Sequence, residues 1–186
     1  FKDTFFRNLD KSLEEMFCSL SVEWIQFKQF GIQMNHRLRG QWSNDWIKFM
    51  SLPIIKSPKM TNFLKIESAS YGNSKANKTF SQVGGEQRSQ ILLKSFLDHR
   101  NFGYSKRISS PITAEQSGSR LSPHLSFGTI SIRDIYQHVE KRISKVVGLE
   151  KQSLNSFKKR LAWHCHFIQK IYDEPNIECR NLHSSY

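Results

Sequence analysis

Residues 117–131, SGSRLSPHLSFGTIS, start a helix, stop it almost at once and start another. Ser122 before Pro123 fits an N-cap with proline at the first helical position, where a missing N–H is harmless, and Gly128 is a natural stop. Ser131 fits the N-cap of the next helix, and Ser131-Ile-Arg-Asp134 has the capping-box spacing. Two helix N-termini and Arg120 therefore fall within fifteen residues. Unpaired backbone N–H groups, hydroxyls and a guanidinium can converge there on one anion, a phosphate above all, with each helix end contributing about 0.3–1 kcal/mol. On spacing alone, plain double capping with Arg120 in solvent satisfies the same residues.

Working outward, Ile132, Ile135, Tyr136, Val139, Ile143 and Val146 follow at steps of three and four as far as Gly148, which predicts an amphipathic helix. Another is expected from about Ser153 to Asp173, with Leu154, Phe157, Leu161, Ile168 and Ile171 inward and Pro175 beyond its end. Upstream, Glu86, Ile91, Leu92, Phe96 and Leu97 describe a helix, as do Leu9, Leu13, Met16, Phe17 and Leu20 near the N-terminus. Between them, Trp24, Trp42 and Trp46 stand among basic residues broken by Gly31 and Gly40, which reads as an ordered connector. Residues 56–85, rich in Ser, Asn and Lys, read as a long surface loop. With no internal repeat and no period-two run, the expected class is all-α: a connector over 1–83 and a helical domain over 84–186.

A chain of 186 residues suits one domain with a lead-in. Against 16 Asp and Glu stand 28 Lys and Arg, and the net charge of +12 attracts polyanions. Nucleic acid is the default partner; a solvated basic surface, or a piece whose remainder carries the acidic balance, competes with it. The 14 Phe and 4 Trp argue against wholesale disorder. No run approaches the ~18 apolar residues of a membrane span and no secretory signal is present, so a soluble, cytoplasmic monomer is expected. Cys18, Cys165 and Cys179 lack framework spacing and suit a reducing compartment. His164-Cys165-His166 invites a metal reading, but neighbours in a helix point about 100° apart and Cys179 with His183 are too few, so no metal site is expected.

Four segments in order, GGEQRSQILLKSFL (84–97), YSKRISSP (104–111), SRLSPHLSFGTISIRDIY (119–136) and FKKRLAWHCHFIQKIYDEP (157–175), resemble the flavin-binding helical domain of DNA photolyases and cryptochromes. Residues 23–50 resemble the segment that leads into that domain in a subset of the family. The resemblance implies FAD held in a U shape, its pyrophosphate on the turn that matches Gly118, Ser119, Arg120, Leu121 and Ser122. Gly118 stands where the family has a hydroxyl residue, which removes one side-chain contact. Tyr104 matches a tyrosine near the flavin phosphates. Phe157, Arg160 and His164 share a helix face at i, i+3 and i+7 and match positions lining the cofactor and the lesion pocket, where the family has an aromatic, an acid and an arginine.

Trp163 matches the tryptophan that packs on a flipped pyrimidine dimer, stacking worth about 1–3 kcal/mol per base. Lys106, Arg107, Lys158 and Lys159 are candidates for a positive groove that tracks DNA phosphates. The implied activity is photolyase repair of UV-damaged DNA, in which light-excited reduced FAD lends an electron to the dimer, the ring splits and the electron returns. The protein positions the partners, so no catalytic acid, base or nucleophile is expected. The antenna chromophore is not specified. A cryptochrome-like light sensor, and a basic helical nucleic-acid module without cofactor, remain open alternatives. The chain starts at Phe1 and ends in mid-pattern at Tyr186, so a piece of a longer protein is expected, one that binds FAD weakly or not at all and does not repair DNA alone.

Overall fold

Leu154, Phe157, Leu161 and Cys165 recur at steps of three and four along the longest helix and are all buried, which makes that helix the spine of the core. The computed structural model describes residues 4–25, 27, 30–33, 39–56, 82–181, 183 and 185. Every regular element among them is helical: α1 (Thr4–Ser19), α2 (Trp42–Ser51), α3 (Glu86–Ser95), α4 (Tyr104–Arg107), α5 (Pro111–Ser117), α6 (Ser122–Ser126), α7 (Ile132–Ile143) and α8 (Gly148–Asp173). A π-turn, Phe96–Arg100, continues α3, and 3-10 turns occupy Arg39–Gln41 and Pro175–Glu178. The chain is all-α, as its periodicity predicts. No helix among the described residues is long and apolar enough to cross a membrane.

α7 buries Ile132, Ile135, Tyr136, Val139 and Ile143 as it packs against α8 and α2, and ion pairs brace it to α8. Arg142 grips Glu150 at 2.9 Å, and Lys158 meets Glu140 at 2.7 Å. Ser131 caps α7 as expected, its hydroxyl accepting from the Arg133 N–H at 3.2 Å. The reciprocal half of the capping box is given up, because Asp134 instead accepts from Gln90 at 2.8 Å and ties α7 to α3.

The connector feeds the same core. Trp42, Trp46 and Met50 are buried with the apolar residues of α3, α7 and α8, and Trp46 stands edge-on to Tyr136 at 5.3 Å. Gln137 donates to the Met50 and Leu52 carbonyls, while the Arg133 guanidinium lies 4.4 Å over Phe49 and donates to the Pro53 carbonyl. Gly31 is required where it stands: its φ is +65° and a Cβ there would come within 2.9 Å of the Trp46 ring. Most of the expected surface loop, residues 57–81, lies outside the described residues.

Some expectations shift. Ile91 is exposed and Leu93 buried in its stead, since the inward positions of α3 and the π-turn are Ser89, Leu92, Leu93, Phe96 and Leu97. The π-turn has a visible cause: the buried Asn101 amide donates to both the Phe96 and Leu97 carbonyls, and its backbone N–H also bonds back to Phe96. α7 stops at Ile143, short of Gly148, and α8 begins at Gly148, before the expected Ser153. α1 forms as its spacing predicts, yet Leu9, Met16 and Leu20 stay exposed.

Phe96 is fully buried and Ile91 is 56% exposed. Phe96→Ala is therefore expected to cost about 3–5 kcal/mol in urea unfolding followed by circular dichroism, and Ile91→Ala less than about 0.5 kcal/mol.

Candidate functional site

The turn between α5 and α6 is shaped residue by residue. Gly118 ends α5, its N–H donating to the Ala114 carbonyl at 2.7 Å. A Cβ on Gly118 would approach that same carbonyl to 2.9 Å, so the residue at this position has no room for a side chain. Its amide is spent on the helix end and is not offered to a ligand. Arg120 follows with φ +60°, a left-handed conformation uncommon for any residue but glycine or asparagine. Contacts on both sides hold it there: its guanidinium donates to the Glu115 carbonyl at 3.0 Å, and its own carbonyl accepts from Gln82 at 3.0 Å.

Leu121, at φ −91° and ψ −9°, is right-handed and drops its side chain into the core. Its carbonyl accepts from the Leu125 N–H, so Leu121, not Ser122, sits at the cap of α6. Ser122 is the first helical residue, exposed and without a side-chain capping bond, and Pro123 is the second. A left-handed residue followed by a right-handed one makes a shallow nest of successive N–H groups, the backbone geometry that receives anions. Among the described residues the N–H groups of Ser119, Arg120 and Ser122 have no backbone partner, and that of Leu121 reaches only Ser119 Oγ, at 3.4 Å. With α6 only 5 residues long, the turn itself and not a helix dipole supplies the donors.

Arg100, which the sequence reading did not single out, sets the direction of those donors. Its guanidinium donates to the Gly118 carbonyl, to the Ser119 carbonyl at 3.4 Å, to the Leu92 carbonyl at 2.8 Å and to Ser95 Oγ at 3.2 Å. In a trans peptide the C=O and the following N–H point opposite ways, so drawing in the Gly118 and Ser119 oxygens turns the Ser119 and Arg120 amides outward. Burial, and secondarily the nearby charge of Arg120, lower the Arg100 pKa.

Beneath Arg100 lie three aromatic rings. Phe96, 5.9 Å from the guanidinium, packs on Phe157 at 4.5 Å and on Tyr104 at 5.6 Å, and Tyr104 meets Phe157 edge-on at 5.5 Å. Tyr104 and Phe157 are thus brought together, but inside the core. Burial raises the Tyr104 phenol, and the charge of Arg160 opposes that shift.

The other expected residues lie elsewhere. His164 is half-buried against Phe30 at 5.1 Å, and burial lowers its pKa. Trp163, about 120° around α8 from Phe157, is half exposed under the Arg160 guanidinium at 5.0 Å. Lys158 is committed to Glu140; Lys106 and Lys159 are exposed, and Arg107 reaches Gln116 Oε1 at 3.4 Å. The His164-Cys165-His166 run diverges, with Cys165 buried and its thiol pushed up to about 12, and His166 edge-on to Trp42 at 5.2 Å. The one signal for Arg100 in the sequence was a cation closing an apolar helix, a common arrangement.

Over 100 residues the chain is 32% identical to a deoxyribodipyrimidine photo-lyase of Halobacterium salinarum, a stretch that makes 53% of this chain and 20% of that protein. No family model matches the sequence. No solved structure matches it either. The likeness supports a photolyase-like relationship over about half of the chain.

Gly118→Ser is expected to lose about 1–3 kcal/mol in urea unfolding, because the added carbon meets backbone, whereas Gly84→Ser, which enters open space, leaves stability unchanged. His164 supplies a pH dependence. Its folded pKa lies below the usual 6.5, so under that pH the unfolded chain binds more protons and the stability present at neutral pH is lost as the pH falls. Urea midpoints measured from about pH 7 to about pH 5.5 should fall less steeply for His164→Gln than for the parent.

Proposed function

We propose that this chain carries part of the flavin site of a photolyase-like protein that repairs UV-damaged DNA by light-driven electron transfer. The observation that carries the reading is the outward-facing nest over residues 119–122, in the segment with the most specific resemblance to the family. The partial likeness to a photo-lyase supports it. FAD fits this turn at its phosphates, which the Ser119, Arg120 and Ser122 N–H groups would hold, with the Arg120 guanidinium contributing the donors that its bond to the Glu115 carbonyl and its ion pair with the Glu115 carboxylate at 3.5 Å leave over. When bound, it supplies one-electron chemistry under light.

The chain's own residues bind and orient. Leu121 and Arg100 fix the turn, and the Phe96, Tyr104 and Phe157 rings form the floor under it. Trp163 offers a half-exposed indole to an extruded base, and Lys106, Arg107 and Lys159 give sequence-independent phosphate contacts. Lys158 joins them only by leaving Glu140, so its contribution is the smallest of the four.

Calorimetric titration of the purified chain tests this reading. FAD and ADP are expected to bind weakly, with adenosine and riboflavin giving no heat, and Arg120→Gln to lower ADP affinity by roughly tenfold, about 1.4 kcal/mol. Equal binding of adenosine and ADP, or ADP binding that Arg120→Gln leaves unchanged, refutes it.

A further inference from the structure

Glu115, on α5, stands beside the turn with its side chain 84% exposed. Its carbonyl and its carboxylate both meet one nitrogen of Arg120, Nη2, at 3.0 Å and 3.5 Å. A guanidinium has five donors, and those on Nε and Nη1 of Arg120 have no partner among the described residues. One cation thus holds an internal anion on one side and has donors left for an external one. A phosphate on those donors, bound at about 2.8 Å, stands roughly 6–7 Å from the carboxylate across the planar fork.

The other charges around the turn do not share that position. Arg100 lies beneath it with its donors spent on the Leu92, Gly118 and Ser119 carbonyls and Ser95 Oγ. Arg107 is turned to Gln116 at 3.4 Å, and Gln82, which donates to the Arg120 carbonyl, is neutral. Among the groups bonded to the turn, Glu115 is the one anion.

Pyrophosphates fall into two classes at this point. In a dinucleotide both phosphates are diesters with one charge each. A nucleoside diphosphate ends in a monoester, which carries two charges above a second pKa of about 6. The N–H groups of the nest attract the more highly charged anion more strongly, so they favour the monoester. A neighbouring carboxylate acts the other way: one further negative charge at about 6–7 Å in water weakens binding two- to threefold at low ionic strength.

We infer that Glu115 is a specificity-determining residue of the turn, biasing it toward linked diester pyrophosphates and against those that end in a free phosphate. The inference rests on the proposed reading of the turn as a phosphate site and adds a discrimination that the backbone donors do not supply. Glu115 repels the extra charge, and it also occupies one nitrogen of Arg120 that any phosphate would use.

The test is calorimetric titration of the purified chain with ADP and with its β-methyl ester, which differ by one charge and one methyl group, at about pH 8 and an ionic strength of about 0.01 M. Glu115→Gln is expected to bind both compounds more tightly, because Arg120 is released, and to lower the ratio of ester to ADP affinity two- to threefold. In about 1 M salt, where charges are screened beyond roughly 3 Å, the ratios of parent and variant should coincide. Glu115→Asp keeps the charge and should keep the parental ratio. Glu14→Gln removes the same net charge from the exposed face of α1 and should leave the ratio unchanged. A purely structural role for Glu115 would move both affinities together and not their ratio. A ratio unchanged in Glu115→Gln, or lowered equally by Glu14→Gln, overturns the inference while leaving the Arg120→Gln result on ADP standing. Binding of neither compound overturns this inference and the phosphate-site reading together.

Discussion

One guanidinium fixes the geometry on which the rest depends. Arg100, half-buried at the end of the π-turn, binds the carbonyls of Leu92, Gly118 and Ser119 at once. A buried cation is costly unless its donors are filled, and here they are filled by the Ser95 hydroxyl and by backbone oxygens of α3 and of the turn before α6. The π-turn makes this reach available by widening the end of α3, and Asn101 holds the turn open. Planarity of the peptide then transmits the constraint outward, because oxygens pulled in mean amides turned out. The left-handed Arg120 completes the concavity.

Below that constraint the molecule is organised by rings. Phe96 joins the guanidinium to Phe157 of α8 and Tyr104 of α4, so the turn, the π-turn and the spine helix share one rigid support. On the far side of α8 a second set of rings, Trp42, Trp46 and Tyr136, couples α2 to α7 and α8. The two aromatic sets lie on different sides of α8. The Arg160 guanidinium lies over the Trp163 ring, and its charge opposes the rise of the Tyr104 phenol.

Much of this was legible in the sequence because it is periodic. The stripes of α7 and α8 follow from spacing, and Ser131 is readable as a cap because its hydroxyl acts locally. What was not legible depends on partners distant in sequence. Ser122 looks like an N-cap until Leu121 is seen to take the cap position with its side chain buried. Ile91 looks as buried as Leu92 until the π-turn fixes which flank of α3 faces inward. Gly118 reads as a lost hydroxyl, whereas the structure shows a carbonyl of α5 where a side chain would go. Lys158 reads as one of several surface cations, and only the approach of α7 commits it to Glu140. Arg100 gave almost no signal, since its acceptors are backbone atoms that no sequence pattern encodes.

The central claim, that the turn presents outward-facing amides for linked phosphates, is tested most directly by nitrogen-15 NMR of the chain during titration with ADP. The account predicts that the Ser119, Arg120 and Ser122 amide resonances shift together and saturably while the Gly118 amide, held by Ala114, shifts least of the turn. Resonances of the turn that stay in place while others move, or shifts led by Gly118, would contradict it.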